Sequence, residues 1–162
     1  MIVKTLSCLL LAMFSGLVQA GALAYVPNEK SATVSVIDTE NDQPMASFAL
    51  GKRPRGIAVG ERHLYLTDAQ GSALLIADRH NGKLLRTVML GESPEGVSLS
   101  ADGTLLAVAM EDDNVVALLS APDGKALARI KVHGKNPEHA VFSPDGRWLY
   151  VSAEEAEQVD VI

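Results

Sequence analysis

Three copies of a Gly-x-x-Pro step constrain the fold of this chain more than any other feature of its sequence. The steps span Gly51–Pro54, Gly91–Pro94 and Gly134–Pro137, so their prolines are 40 and 43 residues apart. Two hydrophobic landmarks follow each step in the same order. The first landmark occurs at Leu64–Thr67, Leu105–Ala109 and Leu149–Ser152, with an earlier copy at Ala24–Pro27. The second occurs at Leu74–Asp78, Val115–Leu119 and Val159–Ile162, with an earlier copy at Val34–Asp38. A period of this length indicates that the chain repeats one structural unit.

The landmarks are typical of short β-strands. They are rich in Val, Leu, Ile and Tyr, and segments containing Gly, Pro, Asn and Asp separate them. Asn81-Gly82 and Asp123-Gly124 favour tight hairpins, because these residue types tolerate the positive φ that such turns require. No helix is needed between residues 21 and 162.

Four strands in each unit of about 40 residues predict one blade of a β-propeller, an all-β fold in which four-stranded antiparallel sheets surround a channel. A β-sandwich also has regularly spaced strands, but it does not explain why the landmarks recur in one order. We expect innermost strands at 56–59, 96–100 and 139–143, outermost strands at 45–50, 84–90 and 126–132, and blade breaks near 51–55, 91–95 and 134–138.

The predicted strands do not fill whole blades at either end of the sequence. The first blade begins with its second strand, and the last one stops within its third strand at Ile162. Residues 21–162 therefore correspond to about 3.5 blades. Propellers usually close their ring so that no sheet edge stays unpaired. We expect an N-terminal fragment of a larger ring, and an assembly completed by a second copy is the alternative.

The opening Tyr25-Val26-Pro27-Asn28, followed by Val34–Thr39, resembles the YVTN-type β-propeller repeat. The likeness extends over residues 22–162. Arg53–Ile57 and Pro137–Gly146 are most similar to periplasmic propellers associated with pyrroloquinoline quinone (PQQ)-dependent catabolism. The resemblance implies a non-catalytic binding or scaffold role in PQQ-dependent alcohol catabolism. It also implies a quinoprotein dehydrogenase or a cytochrome as the protein partner, with a small ligand as the alternative.

Residues 1–20 are predicted to be a signal peptide. Lys4 precedes an apolar stretch that ends in Val18-Gln19-Ala20, the small-x-small pattern of a cleavage site. A membrane anchor is the alternative, but the apolar run is shorter than the roughly 20 residues that a span requires. Cys8, the single cysteine, lies in this segment, so cleavage leaves no thiol. The expected location is periplasmic or secreted, with no membrane span after cleavage.

The charge balance argues against a nucleic-acid partner. The chain has 20 acidic and 14 basic residues and a formal net charge of −6. Such a surface repels a phosphate backbone instead of releasing its counterions.

The candidate ligand-binding residues follow the Gly-x-x-Pro steps. In a propeller, the loops before the innermost strands surround one mouth of the channel. Arg55, Glu95 and Glu138 take this position, with Arg53 and His139 beside them. His139 is distinctive because the two equivalent positions hold glycine, and an imidazole can bind a metal or move a proton. Solvated loop charges and a hydrogen-bonded structural histidine are the alternatives.

Neither a catalytic residue nor a cofactor is predicted, but two further functions stay open. One is a redox propeller that holds haem or quinone noncovalently at the channel mouth, since no Cys-x-x-Cys-His site is present. The other is a metal-dependent hydrolase of the lactonase kind, for which Glu95 and Glu138 are the candidate ligands. Glu111-Asp112-Asp113 and Glu154-Glu155 lie in equivalent turns without a calcium-loop pattern, so solvated turns are expected there.

Overall fold

A computed structural model describes residues 22–162, and every regular element in this range is a β-strand. The predicted signal peptide at 1–20, including Cys8, lies outside the described residues. Between residues 22 and 162, no helix is long and apolar enough to cross a membrane. The strands are β1 (Leu23–Asn28), β2 (Thr33–Asp38), β3 (Gln43–Ala49), β4 (Pro54–Val59), β5 (His63–Asp68), β6 (Ala73–Asp78), β7 (Leu84–Met89), β8 (Pro94–Leu99), β9 (Leu105–Met110), β10 (Val115–Ser120), β11 (Ala126–Lys131), β12 (Pro137–Phe142), β13 (Leu149–Ala153) and β14 (Gln158–Val161).

The strands form four antiparallel sheets, each with its strands in sequence order. Sheet 1 contains β1–β3, sheet 2 contains β4–β7, sheet 3 contains β8–β11 and sheet 4 contains β12–β14. Sheets 2 and 3 have four strands, while the described part of sheet 1 lacks an innermost strand and that of sheet 4 lacks an outermost one. The prediction of an all-β fold built from repeated four-stranded antiparallel units, about 3.5 of them in this range, is confirmed.

The innermost strands begin two residues earlier than the sequence pattern indicated. Each starts at the proline of its Gly-x-x-Pro step, namely Pro54, Pro94 or Pro137. Proline lacks an N–H, but it is tolerated as the first residue of a strand, where no ladder hydrogen bond is lost. The register is irregular just after each proline, as between Pro54 and Ile57. Arg55, Glu95 and Glu138 lie within these irregular segments.

Successive sheets pack face to face through apolar side chains. Val34 of sheet 1 packs with Leu64 and Leu66 of sheet 2. The other face of sheet 2 packs on sheet 3, and sheet 3 in turn packs on sheet 4. Each inner sheet is therefore covered on both faces. The innermost strand β8 lies between β4 and β12 and contacts both, which brings the first residues of the three strands together.

Aspartate side chains fix the loops that lead into β4 and β12, and Asp68 is the buried one of the two. The Asp68 carboxylate, at the end of β5, accepts hydrogen bonds from the backbone N–H groups of Lys52 and Arg53 at 3.0 and 2.7 Å. Asp160 accepts from the N–H groups of His133 and Gly134 in the same way, at 2.6 and 2.9 Å. These bonds set the position from which the candidate site residues project.

Candidate functional site at the innermost strands

The starts of β4, β8 and β12 enclose a small cavity. Its volume is about 90 Å³, and its lining residues come from equivalent positions of sheets 2, 3 and 4. They are Arg55, Gly56, Glu95, Gly96, Glu138 and His139. Four of the five predicted site residues are thus brought together, while Arg53 does not line this cavity.

Two glycines allow the innermost strands to approach closely enough to form the cavity. A Cβ atom on Gly56 would lie 2.6 Å from the carbonyl oxygen of Glu95, and one on Gly96 would lie 2.7 Å from that of Glu138. Contacts this short between a Cβ and a backbone atom do not occur, so any larger residue would push the neighbouring strands apart. Thr67 fixes the same spacing, because its hydroxyl donates to the Glu95 carbonyl and accepts from the Gly56 N–H.

Arg55 contacts carboxylates from the three other sheets. Its Nε lies 2.5 Å from Glu95 Oε2 of sheet 3, and its Nη2 lies 3.9 Å from Glu138 Oε2 of sheet 4. Its Nη1 lies 3.6 Å from Oε1 of Glu29, which follows the first strand of sheet 1. Burial alone would lower the pKa of Arg55, but these three carboxylates together raise it. The guanidinium therefore stays charged and links all four sheets.

Glu95 is the most buried ionisable group of the site. Its side chain is 5% exposed. Burial raises the pKa of Glu95 to about 6, and the nearby Glu138 adds to this rise, while Arg55 opposes it. Desolvation of the carboxylate thus outweighs the attraction of the ion pair. Glu95 can therefore gain or lose a proton near pH 6, where most glutamates remain ionised.

Arg53 lies at the rim and points to sheet 1. Its Nε donates to Glu29 Oε1 at 2.6 Å, and its side chain is about half exposed. This hydrogen bond is the main reason why the pKa of Glu29 is lowered, and the charge of Arg55 contributes further. Arg53 thus neutralises the Glu29 carboxylate, which also faces Arg55. Arg53 itself does not line the cavity.

His139 covers the cavity on the side of sheet 4. Its ring lies against Gly96, within 2.9 Å of where a Cβ on that glycine would be. The backbone N–H of His139 donates to Ser152 Oγ at 3.2 Å, so the strand is held while the ring stays exposed. In the described range, no second histidine lines this cavity.

The sequence pattern indicated solvated turns at Glu111 and Glu154, but the structure places both carboxylates beside Glu138 of the cavity. Glu111, Glu138 and Glu154 each place one oxygen within 4.8 Å of the others. Burial first, then the charges of Glu138, Asp112 and Glu154, raise the pKa of Glu111. These oxygens are of the kind that hard cations such as Ca²⁺ prefer, although a Ca²⁺ site takes six to eight of them. The recurrence of acidic turns in adjacent repeats indicated that Glu111 and Glu154 are equivalent, but not that both lie close to Glu138.

Comparison with known proteins supports the repeat architecture. No family model matches the chain. Over 128 residues, or 76% of the chain, it is 30% identical to human WD repeat-containing protein 36, and the matched stretch is 14% of that protein. The chain therefore spans only a small part of this relative.

Among solved structures, the chain is similar to hydrazine synthase from Kuenenia stuttgartiensis. The TM-score is 0.80 at 20% identity, and the match covers 88% of this chain and 43% of that one. At this identity the likeness concerns the fold. The chain is a β-propeller repeat protein.

The charges of this propeller site determine which groups it can accept. Glu29, Glu95 and Glu138 outnumber Arg53 and Arg55, and the group at Glu111 and Glu154 adds further negative charge beside them. Because the guanidinium of Arg55 already faces three carboxylates, an incoming anion would have to compete with them. The arrangement favours a cationic or hydrogen-bond-donating group.

Proposed function

We propose that this propeller is a non-catalytic binding or scaffold protein that holds a protein partner at the mouth formed by the starts of β4, β8 and β12. The observation that carries the proposal is the shared cavity of Arg55, Glu95, Glu138 and His139. Residues of three sheets meet there on closely spaced strands, and Asp68 and Asp160 anchor the loops before two of them. A rigid scaffold presenting exposed charges is typical of a recognition surface.

The size of the cavity supports a protein partner over a bound cofactor. Pockets for small molecules and cofactors usually measure about 300–1,000 Å³, whereas this cavity measures about 90 Å³. It has room for the tip of one side chain, with the rim of Arg53, Glu29 and His139 around it. The excess of carboxylates favours a partner whose inserted side chain is cationic.

The finer proposal rests on the resemblance of the repeats to periplasmic propellers of PQQ-dependent catabolism. On this proposal the protein is exported to the periplasm, where it binds a quinoprotein dehydrogenase or its cytochrome during alcohol oxidation. The partner of interest is then one of these two proteins.

The proposal is tested by titrating the purified chain with the quinoprotein alcohol dehydrogenase and the cytochrome of the same organism. We expect binding to one of them, and at least a tenfold weaker Kd for the double variant Glu138→Ala, His139→Ala. Arg147→Ala is the matched control, because Arg147 pairs with Asp145 in an exposed turn away from the cavity. No binding to either protein, or equal loss with the control, contradicts the proposal.

An absorption spectrum of protein purified from its native source separates the redox alternative. The proposed function requires a spectrum without haem or quinone bands. A cofactor band that disappears with His139→Ala would instead support a redox propeller.

A further inference from the structure

A second cavity opens between the loop after β3 and the outer half of sheet 2. Its volume is about 330 Å³, which is within the usual range of pockets for bound groups. The turn before β6 and the strands β6 and β7 form its other walls. Its lining includes Gly51, Asp68, Gly71, Leu75 and Thr87, and it shares no lining residue with the cavity at Arg55.

Thr87 of this cavity is equivalent to Arg129 of sheet 3. Leu75 and Ala117 are the third residues of β6 and β10, the third strands of their sheets. Thr87 lies opposite Leu75 on the outermost strand, and Arg129 lies opposite Ala117 in the same way. At this position, sheet 3 therefore carries a guanidinium and sheet 2 carries a short hydroxyl side chain.

In sheet 3, the guanidinium of Arg129 occupies the space that is open in sheet 2. Its Nη1 donates to the carbonyl oxygen of Leu90 at 3.1 Å, and its Nη2 donates to Asp113 Oδ2. Leu90 directly precedes a Gly-x-x-Pro step, and Asp113 lies in the turn before β10. The repeat unit thus binds a guanidinium with one backbone carbonyl and one carboxylate, a charge-assisted arrangement.

Sheet 2 keeps a carboxylate at this place, although a different residue supplies it. Gly71 and Asp113 are the third residues of the turns before β6 and β10, so sheet 2 lacks the aspartate of that turn. A Cβ on Gly91 would lie 3.5 Å from Asp113 Oδ2. One on the equivalent Gly51 would lie 3.5 Å from Asp68 Oδ2. Asp68 therefore places its carboxylate where the guanidinium of a neighbouring repeat finds its acceptor.

The Asp68 carboxylate has acceptor capacity left for a cation. It accepts from the backbone N–H groups of Lys52 and Arg53, but an ionised carboxylate has about four lone-pair sites. Asp68 is only 4% exposed, and among the described residues no side-chain cation forms an ion pair with it. Lys52 also lines the cavity, but its side chain is exposed and can turn to solvent. A buried carboxylate in an open cavity favours a positively charged group with directed donors.

We propose that this cavity binds the guanidinium of an arginine from a partner protein, in the place that Arg129 fills in sheet 3. The guanidinium would donate to the Asp68 carboxylate and to the carbonyl of Leu50, which is equivalent to that of Leu90. The aliphatic part of the arginine would pack on Leu84, which is 47% exposed at the cavity. Thr87 is exposed as well, so a side chain can enter from outside. This contact is independent of the mouth at Arg55.

The first test is an NMR titration of the isotope-labelled full chain with the capped tripeptide acetyl-Gly-Arg-Gly-amide. We expect saturable shifts of the amides of Gly51, Gly71 and Thr87. The matched peptide with lysine should bind at least about fivefold more weakly, because its three donors come from one nitrogen. Equal binding of the two peptides overturns the proposal. So do shifts confined to Gly56 and Gly96, which would place the arginine at the mouth and leave the proposed function intact.

Two variants of the cavity identify the sign of the charge that it binds. Asp68→Asn should weaken binding of the arginine peptide by at least about tenfold, because the amide carries no charge. Lys52→Ala should leave the affinity unchanged or raise it, since it removes a competing positive charge. Weaker binding by Lys52→Ala would indicate that the cavity binds the peptide through an acceptor group, and it would overturn the proposal.

Thr87→Arg provides a readout that leaves Asp68 intact. Its guanidinium should fill the cavity as Arg129 fills the equivalent space, so the variant should lose at least about tenfold in affinity for the arginine peptide. Its unfolding midpoint in urea should rise above that of the wild type, and this rise should disappear in the Asp68→Asn background. Leu85→Arg is the matched control, because Leu85 is 51% exposed on the same strand and does not line the cavity. Equal peptide affinities of Thr87→Arg and Leu85→Arg overturn the proposal.

Discussion

Arg55 is the residue on which the geometry of the site depends. Its guanidinium reaches Glu29, Glu95 and Glu138, which belong to three other sheets. The planar guanidinium spreads its charge and five donors over three nitrogens and so reaches carboxylates on several sides, whereas a lysine ammonium offers three donors from one nitrogen. Its function is therefore to hold the mouth together, and the accessible groups at the rim are those left for a partner.

Glu95 makes the stability of the chain depend on pH. Its pKa is raised from 4.5 to about 6 in the folded chain, so the folded state binds its proton more tightly than the unfolded state does. The protonated form therefore favours folding below pH 4.5, and this advantage is lost as pH rises to about 6. The shift corresponds to about 2 kcal/mol in the free energy of unfolding.

Glu95→Gln should remove this dependence. Urea unfolding at several pH values would show the wild type losing about 2 kcal/mol relative to the variant between pH 4.5 and pH 7. Glu92→Gln, at an exposed position of the same loop, serves as the control. Parallel pH curves for wild type and Glu95→Gln would contradict the prediction.

Asp68 should be important for stability, although it does not line the cavity at Arg55. Asp68→Ala leaves the part-buried N–H groups of Lys52 and Arg53 without their acceptor. The expected loss is about 1–3 kcal/mol in the free energy of unfolding. Denaturant unfolding measures it, with the exposed Asp112→Ala as the control, and equal stabilities for the two variants would count against this role.

At the scale of the strands, the contacts between sheets dominate stability. Leu106 of β9 is fully buried where sheet 3 meets sheet 2, while Leu127 of β11 is half exposed. Leu106→Ala should cost about 2–5 kcal/mol, because it removes apolar contacts and leaves a cavity. Leu127→Ala should stay within about 0.5 kcal/mol of the wild type. Thermal and urea unfolding of both variants provide the measurement. Similar losses in the free energy of unfolding would show that the contact between sheets 2 and 3 is not the main source of stability.

The strands could be predicted from the sequence because each repeat carries the same signals. Turn residues and apolar runs recur in one order, and one repeat therefore supports the assignment of the next. The start of each innermost strand was less predictable, since Pro54 and its equivalents break the ladder pattern that defines a strand. Whether proline begins a strand or precedes it depends on the pairing partner, here Asp68.

The site was predictable only in part. Arg55, Glu95, Glu138 and His139 could be placed together because they occupy one position of successive repeats. The contact of Arg55 with Glu29 could not be predicted, because it joins a β-turn of sheet 1 to the start of sheet 2. Such pairings depend on the relative placement of two sheets, which a local pattern does not contain. Whether these residues bind a partner stays a prediction.

At the scale of the whole molecule, the apolar contacts of the described sheets join neighbours in sequence. Sheets 2 and 3 are covered on both faces, and sheets 1 and 4 on one face each. In such an array stability is approximately a sum of unit and neighbour terms, and terminal units without caps open first.

Hydrogen exchange should therefore report a gradient along the chain. In dilute protein, amides of β5, β6 and β9 should exchange most slowly, and those of β1, β2, β13 and β14 should exchange faster, because one face of their sheets is uncovered. Mass spectrometry of peptides from each sheet at several protein concentrations gives the measurement. Uniform protection at all concentrations would mean that the four sheets open as one unit, and that their contacts are stronger than a nearest-neighbour array allows.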